Sequence, residues 1–495
     1  MLDKVITSLT PNYNKLKGTA VFLLLFALAL FIRLPFFFRD YVDRDESTFI
    51  LIGQSWVDGF LPYTQLWDVK PPITFLFFAG IIYFFGKSFI AIRFMGTVLV
   101  AITAFYTYKS GALISTKKNG FVAAYICVML LSMFGSIQGV MSEHICMAFF
   151  MPAFYLLIKH KNPVAILNAG LLMGMCLMSK LNLAYAILFI GLFVFYDFTK
   201  SKAYWKSLRN TGLFGIGILL IVFLTLLPYY LQNNLELWWE SVFIAPLDYA
   251  AARRYSPMRL APICLLIIIF FLWSWKKKYL DIRKRGMLLI IAATAGVLLS
   301  FIKGGRINSH YLIQLFPIFI IPVVIVFSKI SFSGKFNYRT YIFFLLLALP
   351  AESYLEYFNI ARNKLERGTF YNGEGFAVPE YINHYDLDTE NILFLGYHIG
   401  YWVLGVNPPT KAATHPSNLC KDEMFSAYKN PRKTSMEELR YIMEELSPKT
   451  IVTRKGRRIF DQDEVEENAY MVQYLNAHYS VLATVDNAEI HQRLE

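Results

Sequence analysis

The stretch Pro71-Pro72-Ile73-Thr74-Phe75-Leu76-Phe77-Phe78-Ala79-Gly80-Ile81-Ile82-Tyr83-Phe84-Phe85-Gly86-Lys87 decides how this chain is laid out. Its apolar part, Ile73–Phe85, has only 13 residues, whereas a helix crossing a bilayer needs about 20. Two prolines close it on one side and Gly86-Lys87 on the other. It therefore reads as a helix lying in, or dipping into, a membrane interface. Around it run eleven apolar stretches of spanning character, roughly 18–37, 93–113, 119–138, 144–158, 163–179, 183–199, 211–229, 258–275, 286–303, 311–328 and 339–357. The expected fold class is an all-α polytopic membrane bundle of about eleven transmembrane helices.

Composition agrees. Of 495 residues, 56% are hydrophobic and 17% charged, against about 25% charged in an average soluble domain. No single water-soluble core hides that much apolar surface, so a soluble enzyme and a disordered chain are both excluded. Five cysteines at 127, 146, 176, 264 and 420 show no metal-binding or disulfide spacing.

The net charge of +13 is explained by where the charges fall. With the N-terminus in the cytoplasm and Ile73–Phe85 not counted as a span, cytoplasmic segments hold 21 basic and three acidic residues. Outer segments up to residue 350 hold 12 basic and 10 acidic ones, and residues 351–495 hold 15 and 22. That asymmetry follows the positive-inside rule; counting Ile73–Phe85 as a span reverses every later loop and destroys it. The surplus is a topology signal, and no nucleic-acid partner is expected. The layout implies a multi-pass protein of the cytoplasmic membrane with its C-terminal part outside. The first apolar run lacks a small-residue cleavage site and reads as an uncleaved anchor.

After about Phe358 the composition becomes that of a soluble domain. Residues 391–395, 450–453 and 479–485 read as strands, and 435–446 and 463–477 as helices. The expected organisation is a membrane domain over 1–358, with interfacial helices in its first outer loop, and a small extracytoplasmic α/β domain over 359–495.

Ionisable residues gather in short polar loops on the outer side of this layout. The first carries Asp40, Asp43, Arg44, Asp45 and Glu46, then Trp67-Asp68-Val69-Lys70. Between them Phe49, Ile52, Trp56 and Phe60 recur at helical spacing, so 46–60 reads as an amphipathic helix opening at Asp45 and Glu46. Asp45 has two readings, a helix N-cap or a general base at a membrane-edge cleft. Lys70 is either an interfacial lysine that snorkels or a cation for a phosphate. Glu143 and His144 open another span, Lys180 sits in a three-residue turn, and Lys303–Tyr311 forms a Gly-hinged basic loop containing Arg306, His310 and Tyr311. Carboxylates with lysines and arginines at one edge suit transfer of a group from a lipid phosphate to a hydroxyl: the base takes the hydroxyl proton and the cations neutralise the departing phosphate.

The segments Asp45-Glu46, Pro62-Tyr63 with Trp67, Lys70-Pro71-Pro72, Arg93, Glu143, Met178-Ser179-Lys180 and Arg306–Tyr311 resemble the protein mannosyltransferase and aminoarabinose transferase superfamily, which is glycosyltransferase family 39-like and of GT-C fold. The resemblance covers roughly residues 20–330. It implies a transferase that uses a polyprenyl-phosphate sugar and a lipid, glycan or protein acceptor. Asp45 then matches the family's loop-one catalytic aspartate with Glu46 beside it, and Lys70 its donor-phosphate lysine. Glu143, Lys180, Arg306, His310 and Tyr311 match donor- or substrate-binding positions. In-line attack implies inversion, with the base on the attacking face, away from Lys70. Val69 stands where aminoarabinose transferases carry a metal-binding glutamate, so neither a metal nor another cofactor is expected. A transporter or flippase of lipid-linked sugars is the alternative of another class, and a surface-polysaccharide polymerase or ligase the alternative among enzymes. Transporters place polar sites near mid-bilayer, whereas here the charges lie at one edge.

Overall fold

The computed structural model describes residues 13, 15–199, 202–252, 256–304, 308–330 and 348–494; Arg306 and the first half of the run 339–357 (residues 339–347) lie outside them. Among the described residues, six segments are long and apolar enough to cross a membrane: Gly18–Phe38, Phe89–Ile114, Leu181–Thr199, Tyr204–Leu231, Met258–Lys276 and Arg285–Gly304. Pro72–Phe85, Pro163–Leu177 and Phe316–Lys329 are shorter apolar helices. The chain is a multi-pass membrane protein with a small C-terminal sheet. The exact count of eleven is not confirmed: among the described residues several of the expected apolar runs form helices shorter than a span, and part of the run 339–357 lies outside those residues. The run 119–138, for instance, is α-helical only over Lys117–Leu130, breaks, and ends in a short 3-10 helix, Gly135–Gln138.

Two compact units emerge, each drawn from separate stretches of chain. The first comprises Met1–Pro35, Arg93–Leu224 and Arg253–Phe358. It contains α1 (Gly18–Arg33), most of α4 (Phe89–Ile114), α5 (Lys117–Leu130), α6 (Ser142–Lys159), α7 (Pro163–Leu177), α8 (Ala184–Thr199), most of α9 (Tyr204–Leu231), α10 (Ala261–Lys276), α11 (Arg285–Gly304) and α12 (Phe316–Lys329). Helix α6 packs on α7, α8 on α11, and α5 on α12. In lipid, helices associate through close packing of small residues rather than through a hydrophobic driving force. Gly217 on α9 shows this: a Cβ there would lie 2.7 Å from the Leu167 carbonyl oxygen on α7.

The irregular segment after α5 needs its own backbone partners, since unpaired carbonyls in a lipid-facing bundle are costly. Arg33, at the end of α1 and 1% exposed, supplies them. Its guanidinium donates to the carbonyls of Leu131 (3.2 Å), Ile137 (2.9 Å), Gln138 (3.2 Å) and Gly139 (2.8 Å). His144 adds a further bond, its Nε2 lying 3.0 Å from the Leu131 carbonyl while its Nδ1 accepts the Met141 N–H. The left-handed backbone at Phe134 and Gly135 (φ 74° and 55°) is thereby held in place.

The second unit comprises Phe36–Ile92, Thr225–Ala252 and Asn359–Glu495. In it α2 (Arg44–Val57) lies against α3 (Pro72–Phe85), so close at Gly53 that a Cβ would fall 2.8 Å from Phe78 Cβ. Phe49 fills the seam against Phe75 and Phe78. The sheet has four strands, β1 (Leu393–Phe394), β2 (Thr450–Arg454), β3 (Tyr479–Val485) and β4 (Ala488–Arg493), in the order β1-β2-β4-β3. Only β1 and β2 run parallel. Strand β4 was not foreseen, because Ala488 and Ile490 are its only apolar residues; both are buried. Helix α13 (Glu374–His384) begins on the carboxylate of Asp40, which accepts from the Gly375 and Phe376 N–H groups (3.1 and 2.8 Å). An anion at a helix N-terminus satisfies orphan donors and the helix dipole together. Asp40 thus joins the loop before α2 to residues 359–495.

Replacing Arg33 by Met leaves the 131–139 carbonyls without their donor. Orphaned buried groups cost about 1–3 kcal/mol each, so Arg33→Met is expected to lower the melting temperature of the detergent-solubilised protein sharply, with Arg33→Lys intermediate. A melting curve that does not move would show that water serves these carbonyls equally well.

Candidate active site

Helix α2 starts at Arg44, two residues earlier than the expected 46–60. Asp43 is its N-cap and accepts the Asp45 N–H at 2.8 Å. Asp45 is therefore released from capping, and the N-cap reading of it is replaced. Its side chain, 20% exposed, makes a different set of contacts. Lys70 Nζ lies 3.1 Å from Asp45 Oδ2, and His415 Nε2 lies 3.3 Å from Asp45 Oδ1. Lys70 is further placed 3.8 Å from Asp68 and over the Phe49 ring. The separation of Asp45 from Lys70 expected from in-line attack is not what the structure has. A carboxylate and an ammonium that are both largely withdrawn from water stabilise one another by pairing. Glu46 lies one residue on and is 2% exposed.

The backbone around Lys70 is rigidly supported. Tyr63 adopts a left-handed conformation (φ 71°) and donates its hydroxyl to the Lys70 carbonyl at 2.6 Å. Burial, then Tyr229 and Asp68, push the Tyr63 hydroxyl well above its ordinary range, so it stays a donor. Trp67 donates from its ring to Ser241 (2.9 Å) and stands edge-on to Tyr428.

Residues 398–417 complete this cluster, and sequence reading missed them. Thr48 on α2 pairs with His398 Nε2 at 2.9 Å, Arg44 donates to Ser417 at 2.8 Å, and the Trp67 N–H donates to Thr414 at 3.3 Å. His415 is 370 residues from Asp45, and nothing local in Thr414-His415-Pro416 marks it.

A second cluster lies within the other unit. Glu143, in the first turn of α6, pairs with Lys180 at 2.7 Å and accepts from Ser142 at 3.1 Å. Lys180 also donates to Ser142 (3.3 Å) and stands over the Tyr311 ring at 4.9 Å. His310 Nε2 is 3.9 Å from Glu143. Four residues singled out from separate loops, Glu143, Lys180, His310 and Tyr311, thus meet; Arg306 lies outside the described residues. Among the described residues no group of three or more His, Cys, Asp or Glu is arranged to hold a metal ion.

No family model matches the chain, and no curated protein matches it by sequence. Solved structures do. The crystal structure of ArnT from Cupriavidus metallidurans bound to undecaprenyl phosphate superposes with a TM-score of 0.62 at 14% identity, covering 95% of this chain and 98% of that one. This chain has the ArnT fold. The apo form of ArnT gives 0.60 at 12% identity, with coverages of 95% and 97%. The oligosaccharyltransferase of Archaeoglobus fulgidus is more distant, with a TM-score of 0.48, 11% identity and coverages of 90% and 70%. Likeness to ArnT over nearly the whole length, despite so few identical residues, places the chain in the GT-C fold class anticipated from its motifs.

Two measurements follow from the geometry. Breaking a buried ion pair by removing one partner costs about 3–5 kcal/mol, while removing both together restores much of it. Glu143→Gln and Lys180→Met are each expected to destabilise the protein strongly, and the double variant less than either; strict additivity in thermal unfolding would contradict a paired arrangement. The second concerns His398, which burial first, and then the nearby Arg44 guanidinium, hold well below its ordinary value of 6.5. It is neutral when folded but takes up a proton when unfolded, so its contribution to stability is complete above about pH 6.5 and declines as pH falls below it. Melting temperatures between pH 7.5 and 5 should fall less steeply in His398→Gln than in the native chain.

Proposed function

We propose that this protein is a membrane glycosyltransferase that moves a sugar from a polyprenyl-phosphate donor to a hydroxyl on a lipid, glycan or protein at the outer face of the cytoplasmic membrane. The observation that carries the proposal is the Asp45–Lys70 contact at 3.1 Å, set on the fold of a protein crystallised with undecaprenyl phosphate. In this reading Lys70 changes partner: the donor phosphate takes the ammonium, and one Asp45 oxygen is released to receive the acceptor's proton. The phosphate departs with its charge neutralised as Lys70 moves with it away from Asp45, while the hydroxyl, giving its proton to Asp45, attacks the anomeric carbon from the opposite side and inverts it. Asp45 serves better than Glu46, because its side chain keeps access to solvent while Glu46 is enclosed. Glu143, Lys180, His310 and Tyr311, with Arg306, are assigned to substrate binding. The Glu143 carboxylate would hold the Lys180 ammonium in place until an anionic group arrives. No metal or other cofactor is invoked.

Asp45→Asn keeps the shape and removes the basic oxygen, so transfer should fall by about 10²–10⁴ with insertion and folding intact. Lys70→Ala should weaken donor binding by roughly 1.5–3 kcal/mol, the worth of a hydrogen bond to a charged group. Near-native transfer by Asp45→Asn would sink the base assignment, and unchanged donor affinity in Lys70→Ala would reduce that residue to a structural partner of Asp45. Mass spectrometry of surface lipids, glycans and glycoproteins from cells with and without the gene identifies the product; no difference in any of the three would count against the enzyme.

A further inference from the structure

We infer that His415 is a positioning residue for Asp45: a hydrogen-bond donor, brought by residues 359–495, that fixes one carboxylate oxygen and so sets how tightly Asp45 holds Lys70. The inference rests on the reading of Lys70 as the phosphate ligand and deepens it.

The direction of the bond follows from the other side of the ring. His415 Nδ1 accepts the Ser417 N–H at 3.1 Å, so in the neutral imidazole the proton resides on Nε2. Nε2 faces Asp45 Oδ1 at 3.3 Å. A nitrogen that already carries a proton toward Asp45 cannot take another from it there, and the far nitrogen is occupied by backbone. His415 is therefore no proton relay. It is placed as a fixed donor, with its side chain only 10% exposed.

The ring's position is determined by the elements it serves. Ser417, which orients it, receives the Arg44 guanidinium from the first turn of α2, and Thr414, which precedes it, receives the Trp67 N–H. Thr48 Oγ1 also lies within 3.4 Å of the Thr414 carbonyl oxygen. The segment 414–417 is thus tied to both stretches that supply Asp45 and Lys70. With His415 donating, the negative charge of Asp45 is shared between a neutral donor and an ammonium. Without it, Asp45 leans more on Lys70, and Lys70 becomes less available to a phosphate.

The test uses the full-length protein in detergent micelles with undecaprenyl phosphate as the probe. His415→Ala should bind it about three- to tenfold more weakly, within the coupling expected between neighbouring groups. His415→Gln, whose amide nitrogen reaches the Nε2 position, should restore binding, and His415→Asn, which reaches only the Nδ1 position, should not. In an Asp45→Asn background the effect of His415→Ala should shrink below about twofold. An equal loss with and without the Asp45 carboxylate would overturn the inference, as would restoration by Asn rather than Gln. The same cycle between positions 45 and 415 is read in thermal unfolding, which needs no ligand, and absence of coupling there overturns it too. Unchanged probe affinity in Lys70→Ala, with the unfolding cycle still coupled, overturns the phosphate reading and leaves the Asp45–His415 contact standing.

Discussion

Charges withdrawn from water survive in a protein only in company, and that constraint organises both clusters. Asp45 has Lys70 and His415; Glu143 has Lys180 and Ser142. Each carboxylate belongs to a helix first turn, where the dipole also favours it. Each lysine comes from a different stretch, so pairing fixes how those stretches are arranged. An arrangement of this kind contributes less to net stability than its short distances suggest, because desolvation offsets much of the attraction. What it supplies is a set of charges whose positions are determined.

The backbone follows the same logic by other means. Arg33 spends its guanidinium on carbonyls of the 131–139 segment, and Asp40 spends its carboxylate on the N–H groups of α13. Neither is chemistry; both convert an irregular stretch into a fixed support. Asp40 and Asp43 share a loop with Asp45 and are the same residue type, yet one secures a helix of the C-terminal segment and the other caps α2. Residue type and neighbourhood therefore do not assign a role. The donors that approach each oxygen do.

Much of this was legible in the sequence. Long apolar runs and sparse charge announced the bundle, and Asp45, Lys70, Glu143 and Lys180 stood out because ionisable groups at the ends of apolar helices are costly without a purpose. Three things were not legible. Helix starts depend on the backbone conformation of a single residue, so an N-cap stood as one of two readings of Asp45 while Asp43 is the cap. Span counting relied on hydropathy, which does not register where a helix breaks, as after Leu130. His415 stayed hidden because its contact with Asp45 is created by tertiary structure alone, and an isolated histidine beside a proline carries no pattern.

The ties between α2 and the segment 414–417 also set an order of events during synthesis. Arg44 and its partner Ser417 are 373 residues apart, and at about 5–20 residues per second the ribosome takes roughly 20–75 s to make the second after the first. Throughout that interval Asp45 and Lys70 exist without the histidine and serine that complete their surroundings. A chain that stalls or is clipped before residue 414 can already have its apolar helices in the bilayer and still lack a finished site. Completion of the Asp45 cluster therefore waits for synthesis of the segment 414–417.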